Sequence, residues 1–167
     1  MSLRMRRTVP GVEPTGAVLS YHHAMANGTH RPTPEEINSA VHAAFPGSEG
    51  ALCRAAGADF AVVQREIDPT AARPGGLVSG PSQFGLADAA LWFLTFGVIG
   101  RIELMALTSD MDITFLRPAS GELISARADL LSAGSRKVVG AVRVWCDDRE
   151  DAPCSVAKGT YVLPRQH

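Results

Sequence analysis

The sequence predicts an α+β domain in which an antiparallel sheet curves around one central helix. Two observations point there. Residues 81–96 place Leu86, Leu91, Trp92, Phe93, Leu94 and Phe96 among alanines with no polar stripe, as in a helix buried on nearly every side. Four segments with period-two alternation follow it, at residues 103–117, 121–132, 136–146 and 154–163. An open sheet with the helix laid on one face would leave part of that apolar surface in water.

Residues 1–31 mix Pro, Gly, His and small polar residues without periodicity and read as an arm or tail, with one domain expected over 32–167. Thr33 then starts a helix. Its hydroxyl can cap, Pro34 suits the first turn, and Glu35 and Glu36 face the positive end of the dipole. Ile37, Val41 and Phe45 give that helix one apolar face, and Pro46-Gly47 stops it. Residues 59–67 read as a strand with both faces covered, because Phe60 and Val62 oppose Ala61 and Val63. After the apolar helix, the connections Pro118-Ala119-Ser120-Gly121, Ala133-Gly134-Ser135 and 147–153 are short, so each is expected to join neighbouring antiparallel strands. A sheet wrapped around a central helix in this order is the hotdog architecture.

The 167 residues suffice for one domain with a sizeable core. Apolar residues are 46% and charged residues 20%, and 16 Lys and Arg against 17 Asp and Glu leave no basic excess for nucleic acid. Residues 1–10 carry arginines without a following apolar run, so no secretory signal is expected. The apolar run 84–99 is short for a bilayer and contains Asp88, so no membrane partner is expected either. Cys53, Cys146 and Cys154 form no CxxC and cannot all pair, which suggests a reducing, cytoplasmic setting. His22, His23, His30, His42 and His167 lack metal-ligand spacing, so no metal or other cofactor is implied.

The chemistry is expected in residues 73–88. Asp88 is the only ionisable residue between Arg73 and Arg101, and a lone carboxylate inside an apolar helix costs several kcal/mol unless paired or hydrogen-bonded. It can serve as nucleophile or general base, or it can pair with Arg73 or Arg101 and merely fix packing. Pro81 has no N–H, while the N–H of Gly80 or Ser82 at the positive helix end can meet a carbonyl oxygen gaining charge. Gly80 and Asp88 are eight residues apart, about 12 Å along a helix. One electrophilic carbon cannot touch both. If both act on one carbonyl, an antiparallel helix of a second subunit must supply one of them.

These residues resemble the phenylacetic-acid-degradation type of hotdog acyl-CoA thioesterase, over roughly residues 33–164. In that family a His-Gly-Gly opens the central helix and an Asp follows in a Leu-Ala-Asp setting. Here Ser79-Gly80-Pro81 and Leu86-Ala87-Asp88 stand at the matching distance, and residues 110–118 followed by Gly121-Glu122-Leu123 match the later strands. The resemblance implies Gly80 as oxyanion donor, Asp88 as nucleophile or base, and Thr108 as the hydroxyl that holds the attacking water. It implies no cofactor, an acyl-CoA substrate and a homodimer, with a dimer of dimers left open. Ser79 replaces the family's His, Pro81 removes an N–H, and Arg73 stands where an Asn or Gln often orients the water. Ser79 and Ser82 would face the substrate, Arg73 could meet a CoA phosphate or Asp88, and Arg136 and Lys137 resemble the basic pair that greets the CoA phosphates. Without the family, those two charges read as edge protection on a hairpin. Trp92, Phe93 and Phe96 read as core before acyl pocket.

Hydrolysis of a small or medium acyl-CoA thioester is thus the leading expectation. A non-catalytic acyl-CoA binding module competes with it, since fold does not fix function. A dehydratase or isomerase would need a histidine near the helix start, and the sequence has none there.

Overall fold

The computed structural model describes residues 30–48, 50–70 and 72–165. The expected arm, apart from residues 30 and 31, lies outside the described residues, as do His22, His23 and His167. Helix α1 spans Pro34–Ala44, and Thr33 closes a reciprocal capping box: its Oγ1 accepts from the Glu36 N–H at 3.3 Å while Glu36 Oε2 accepts from the Thr33 N–H at 2.8 Å. Ile37 and Val41 are buried, whereas Phe45 stays half-exposed and meets Trp92 edge-on, 5.5 Å between centroids.

Strands β1 (Leu52–Ala56) and β2 (Phe60–Glu66) form a hairpin before helix α2 (Gly80–Ile99). Strands β3 (Leu107–Phe115), β4 (Leu123–Ala133), β5 (Lys137–Cys146) and β6 (Ser155–Val162) follow. All pairings are antiparallel, in the order β1-β2-β4-β5-β6-β3, and α2 touches all six strands. This is the hotdog arrangement expected above.

Two expectations need correction. The turn after β3 does not join neighbours: β3 pairs with β6 at the sheet edge, while β4 lies between β2 and β5. Crossing three strand spacings takes about 14 Å, and residues 116–122 can span about 23 Å, so a connection short in sequence is long enough to cross the end of the β5–β6 hairpin. Strand β1 was not expected at all. Its alanines and arginine carry little strand signal, and the Asn38 side chain pins it by bonding the Cys53 N–H and C=O at 2.8 and 3.0 Å.

Helix α2 has the length and mean hydropathy of a membrane crossing, yet 67% of that stretch is buried in the domain, as suits a core helix. Leu91 seats on two glycines directly opposite each other in the β5–β6 ladder, since a β-carbon on either Gly140 or Gly159 would lie 2.7 Å from a Leu91 methyl. The helix is not covered everywhere. Pro81, Phe84 and Gly85 are exposed and Asp88 is half-exposed, so its first half leaves an open strip.

Candidate active site

Asp88 lies on that strip, where α2 faces β3 and β6. The Thr108 hydroxyl donates to Asp88 Oδ1 at 2.7 Å, and the Tyr161 hydroxyl donates to the same oxygen at 2.9 Å and lies 3.3 Å from the Asp88 main-chain O. Among the described residues, Oδ2 has no hydrogen bond and Asp88 has no ion pair. The pairings with Arg73 or Arg101 therefore do not form within the protomer: Arg101 bonds Glu103 at 3.5 Å, and Arg73 is exposed in a turn where Gly75 and Gly76 take φ values of 87° and 72°.

A register break puts Thr108 there. Met111 pairs with Gly159 and Asp110 with Thr160, but Thr108 rather than Ser109 then pairs with Tyr161. Simple alternation from Met111 would turn Ser109 inward; the bulge turns Thr108 toward the helix instead. Tyr161 had escaped the sequence reading. As the last inward position of a strand whose inner face also holds Ser155, Ala157 and Gly159, it is 4% exposed. Burial holds its phenol well above the usual range, opposed by the Thr108 hydrogen bond and reinforced by the Asp88 charge. The only available signal was a phenol at an inward position of an otherwise apolar strand face, since a buried hydroxyl needs a partner.

The start of α2 is built differently from expectation at one point. Ser79 is the N-cap: its Oγ accepts from the Ser82 N–H at 3.2 Å and bonds the Ser82 hydroxyl at 2.8 Å. The Ser82 N–H is therefore engaged. With Pro81 lacking a donor, Gly80 keeps the first-turn N–H that has no partner among the described residues. The Phe115 ring lies beside Gly80, leaving 3.1 Å between its ζ carbon and a β-carbon built on the glycine. A cavity of about 580 Å³ opens beside this helix start, with Val78, Ser79 and Ser82 on one wall and Arg65 and Ile124 on another. It does not reach Asp88, which lies about 12 Å along the helix. Within one protomer the Gly80 N–H and the Asp88 carboxylate are thus too far apart to share an atom.

Arg136 and Lys137 are exposed at the start of β5, and Arg136 Nη2 donates to the Leu163 carbonyl at 3.3 Å. Lys137 pairs with Val162 and Val138 with Tyr161, so this basic pair borders the sheet end that carries the partners of Asp88. Among the described residues no three His, Cys, Asp or Glu side chains gather as a metal site.

The family model for the Thioesterase superfamily matches residues 75–152, a stretch that holds Gly80, Asp88, Thr108, Arg136 and Lys137. Among solved structures, a candidate thioesterase from Silicibacter sp. TM1040 is 27% identical, with 83% of this chain and 97% of that one covered at a TM-score of 0.72. A thioesterase from Haemophilus influenzae is 18% identical over 82% of this chain and 94% of its own, at 0.69. A mutant of the phenylacetic acid degradation protein PaaI from Thermus thermophilus is 20% identical over 72% and 100%, at 0.61. The last two likenesses show a common fold. No curated protein matches the sequence.

Proposed function

We infer the activity of this chain from its place among the hotdog-fold thioesterases, whose superfamily domain it carries over residues 75–152. The reaction is thioester hydrolysis. We propose that the substrate is a small or medium acyl-CoA and that each site is completed by a second copy of the chain. The observation that carries this reading is the state of Asp88: one carboxylate oxygen is held by two hydroxyls and the other is unengaged.

In the proposed reaction the Gly80 N–H of one subunit polarises the thioester carbonyl at the positive end of its helix. Asp88 of the other subunit either attacks the carbonyl carbon, giving an anhydride that water then hydrolyses to free acid and restored carboxylate, or takes a proton from the water that attacks; in both cases CoA leaves as thiolate. Thr108 Oγ1 donates to Asp88 and keeps lone pairs that can accept from that water. A cavity of about 580 Å³ at the helix start falls within the ~300–1,000 Å³ typical of small-molecule sites, and its wall mixes Val78 and Ile124 with Arg54, Arg65 and Glu66. Arg136 and Lys137, bordering the acid end, suit the CoA phosphates, while exposed Arg73 is free to reach them from the other subunit.

The dimer reading draws support from β3. It is the edge strand, and the surface along it and the neighbouring helix strip exposes Met105 (66%), Leu107 (65%), Phe115 (51%), Leu116 (48%) and Phe84 (38%). Strand β3 itself mixes these apolar ends with exposed Asp110 and Asp112, and its open backbone edge can pair with that of its symmetry mate. The three cysteines are free thiols, which suits the cytoplasm. Hydrolysis assays on a panel of acyl-CoAs, comparing wild type with Asp88→Ala and Asp88→Asn, test the proposal. Turnover by wild type and its loss in both variants is expected; acyl-CoA binding without turnover would make the chain a binding module.

A further inference from the structure

We propose that Tyr161 is a positioning residue for the hydrolysis, fixing Asp88 through Oδ1 so that Oδ2 alone meets the substrate. The inference rests on the reading of Asp88 as the reactive carboxylate and adds which oxygen reacts and what holds it. Three observations converge on it.

First, the two donors use one oxygen. Thr108 at 2.7 Å and Tyr161 at 2.9 Å both bond Oδ1 and leave Oδ2 bare. A carboxylate on a two-torsion side chain can rotate about its last bond and exchange its oxygens. Two donors from different strands, converging on one oxygen, oppose that rotation and hold the free lone pairs in one direction.

Second, the strands are built for this convergence. Thr108 and Tyr161 are direct partners in the β3–β6 ladder, and they are so because β3 bulges between Thr108 and Asp110. Bulges re-aim side chains near active sites, and this one brings a second hydroxyl to the same point above the sheet.

Third, among the described residues the acceptors that meet the phenol proton both belong to Asp88. Its ring is buried at the end of the inner face of β6, where a phenylalanine would fill the same space. Its single proton goes to Asp88, with Oδ1 the nearer acceptor and the main-chain O at 3.3 Å the lesser one. Burial keeps the phenol protonated, so Tyr161 donates and does not act as the base. The other inward side chains of β3 and β6 near it, among them Met111, Ile113 and Ala157, offer no second donor.

The test uses the full-length protein and the acyl-CoA on which wild type is most active. Tyr161→Phe is expected to lower kcat about 10–100-fold with KM within about twofold and a melting temperature close to wild type, since only the aim of Asp88 is lost. Replacing Tyr161 with para-aminophenylalanine, which keeps a donor at the same place, is expected to recover most of kcat. Thr108→Val should behave like Tyr161→Phe, Thr108→Ser should retain activity, and the double variant Thr108→Val/Tyr161→Phe should lose more than the product of the two single losses. A Tyr161→Phe enzyme with unchanged kcat would overturn the inference, as would a loss of kcat that the para-amino residue does not restore. Asp88→Asn is the parallel control. If it is inactive while Tyr161→Phe is fully active, the positioning role alone fails; if Asp88→Asn keeps full activity, the reading of Asp88 fails with it.

Discussion

The ring of Phe115 lies against Gly80, so the last residue of β3 walls the free N–H at the start of α2. A β-carbon at residue 80 would come within 3.1 Å of the ring's ζ carbon. Because Phe115 is half-exposed it can yield, but only by shifting the ring beside the proposed oxyanion donor. Gly80→Ala is expected to lower kcat about tenfold, a fraction of what removal of an oxyanion donor costs. Combining it with Phe115→Ala should recover part of that loss. Steady-state kinetics of the four enzymes in this cycle measure the coupling, and strictly multiplicative effects would count against the contact.

A harder constraint sits at the other end of the helix. A β-carbon on Gly97 would lie 2.0 Å from the Gly57 carbonyl oxygen in the β1–β2 turn, and neither backbone can swing aside. Gly97→Ala should therefore destabilise the fold by about 3 kcal/mol, at the upper end for overpacking, read as a lower urea midpoint at unchanged m-value.

How the sequence could be read depended on how local each signal was. The cap at Thr33, the buried length of α2 and the alternation in β4 to β6 all follow from neighbours in the chain, and each is found close to where it was expected. Strand β1 gave little signal because Ala55, Ala56 and Gly57 have poor strand preference, and a side-chain clamp from Asn38 holds it in place. The β3–β6 pairing was hidden because seven residues can turn back or cross over, and only competition among strands decides. At the site, Asp88 was conspicuous as the one acid of an apolar helix. Tyr161 was not, since a bulge more than 50 residues earlier in the chain sets what it faces. The choice between the Gly80 and Ser82 N–H groups was open for a related reason: whether the Ser82 N–H is free depends on the rotamer of Ser79.

Asp147 gives the fold a pH dependence. In a left-handed conformation with φ 53°, its Oδ1 accepts from the Glu122 and Leu123 N–H groups at 2.9 and 3.0 Å, tying the end of β5 to the start of β4. Those bonds hold its carboxyl below the usual range. A depressed folded value means that the stabilisation is complete above the unfolded value of about 3.9 and is lost as pH falls through the lower folded one. Melting temperatures from pH 7 to about pH 3 should fall less steeply for Asp147→Asn than for wild type at the acid end. Parallel curves would exclude Asp147 as a contributor.

Charge placed on the open edge should break the proposed dimer. Leu107→Lys puts an ammonium in place of an exposed apolar side chain at the start of this strand edge, a device that natural proteins use against edge pairing. Light scattering at micromolar concentration should show wild type as a dimer or larger and the variant shifted to monomer, with activity lost in proportion. A wild-type monomer that remains fully active would refute the shared site.

The most direct measurement of the proposed shared site is subunit complementation between Asp88→Ala and Gly80→Val. Each variant alone should be inactive as a homodimer. A mixed dimer has one site with both native groups, Gly80 from the first variant and Asp88 from the second, beside one site that lacks both. Equal amounts unfolded together and refolded at random should regain about one quarter of wild-type turnover. Turnover that stays at the level of the separate variants, although mixed dimers form, would contradict a site completed by the second subunit.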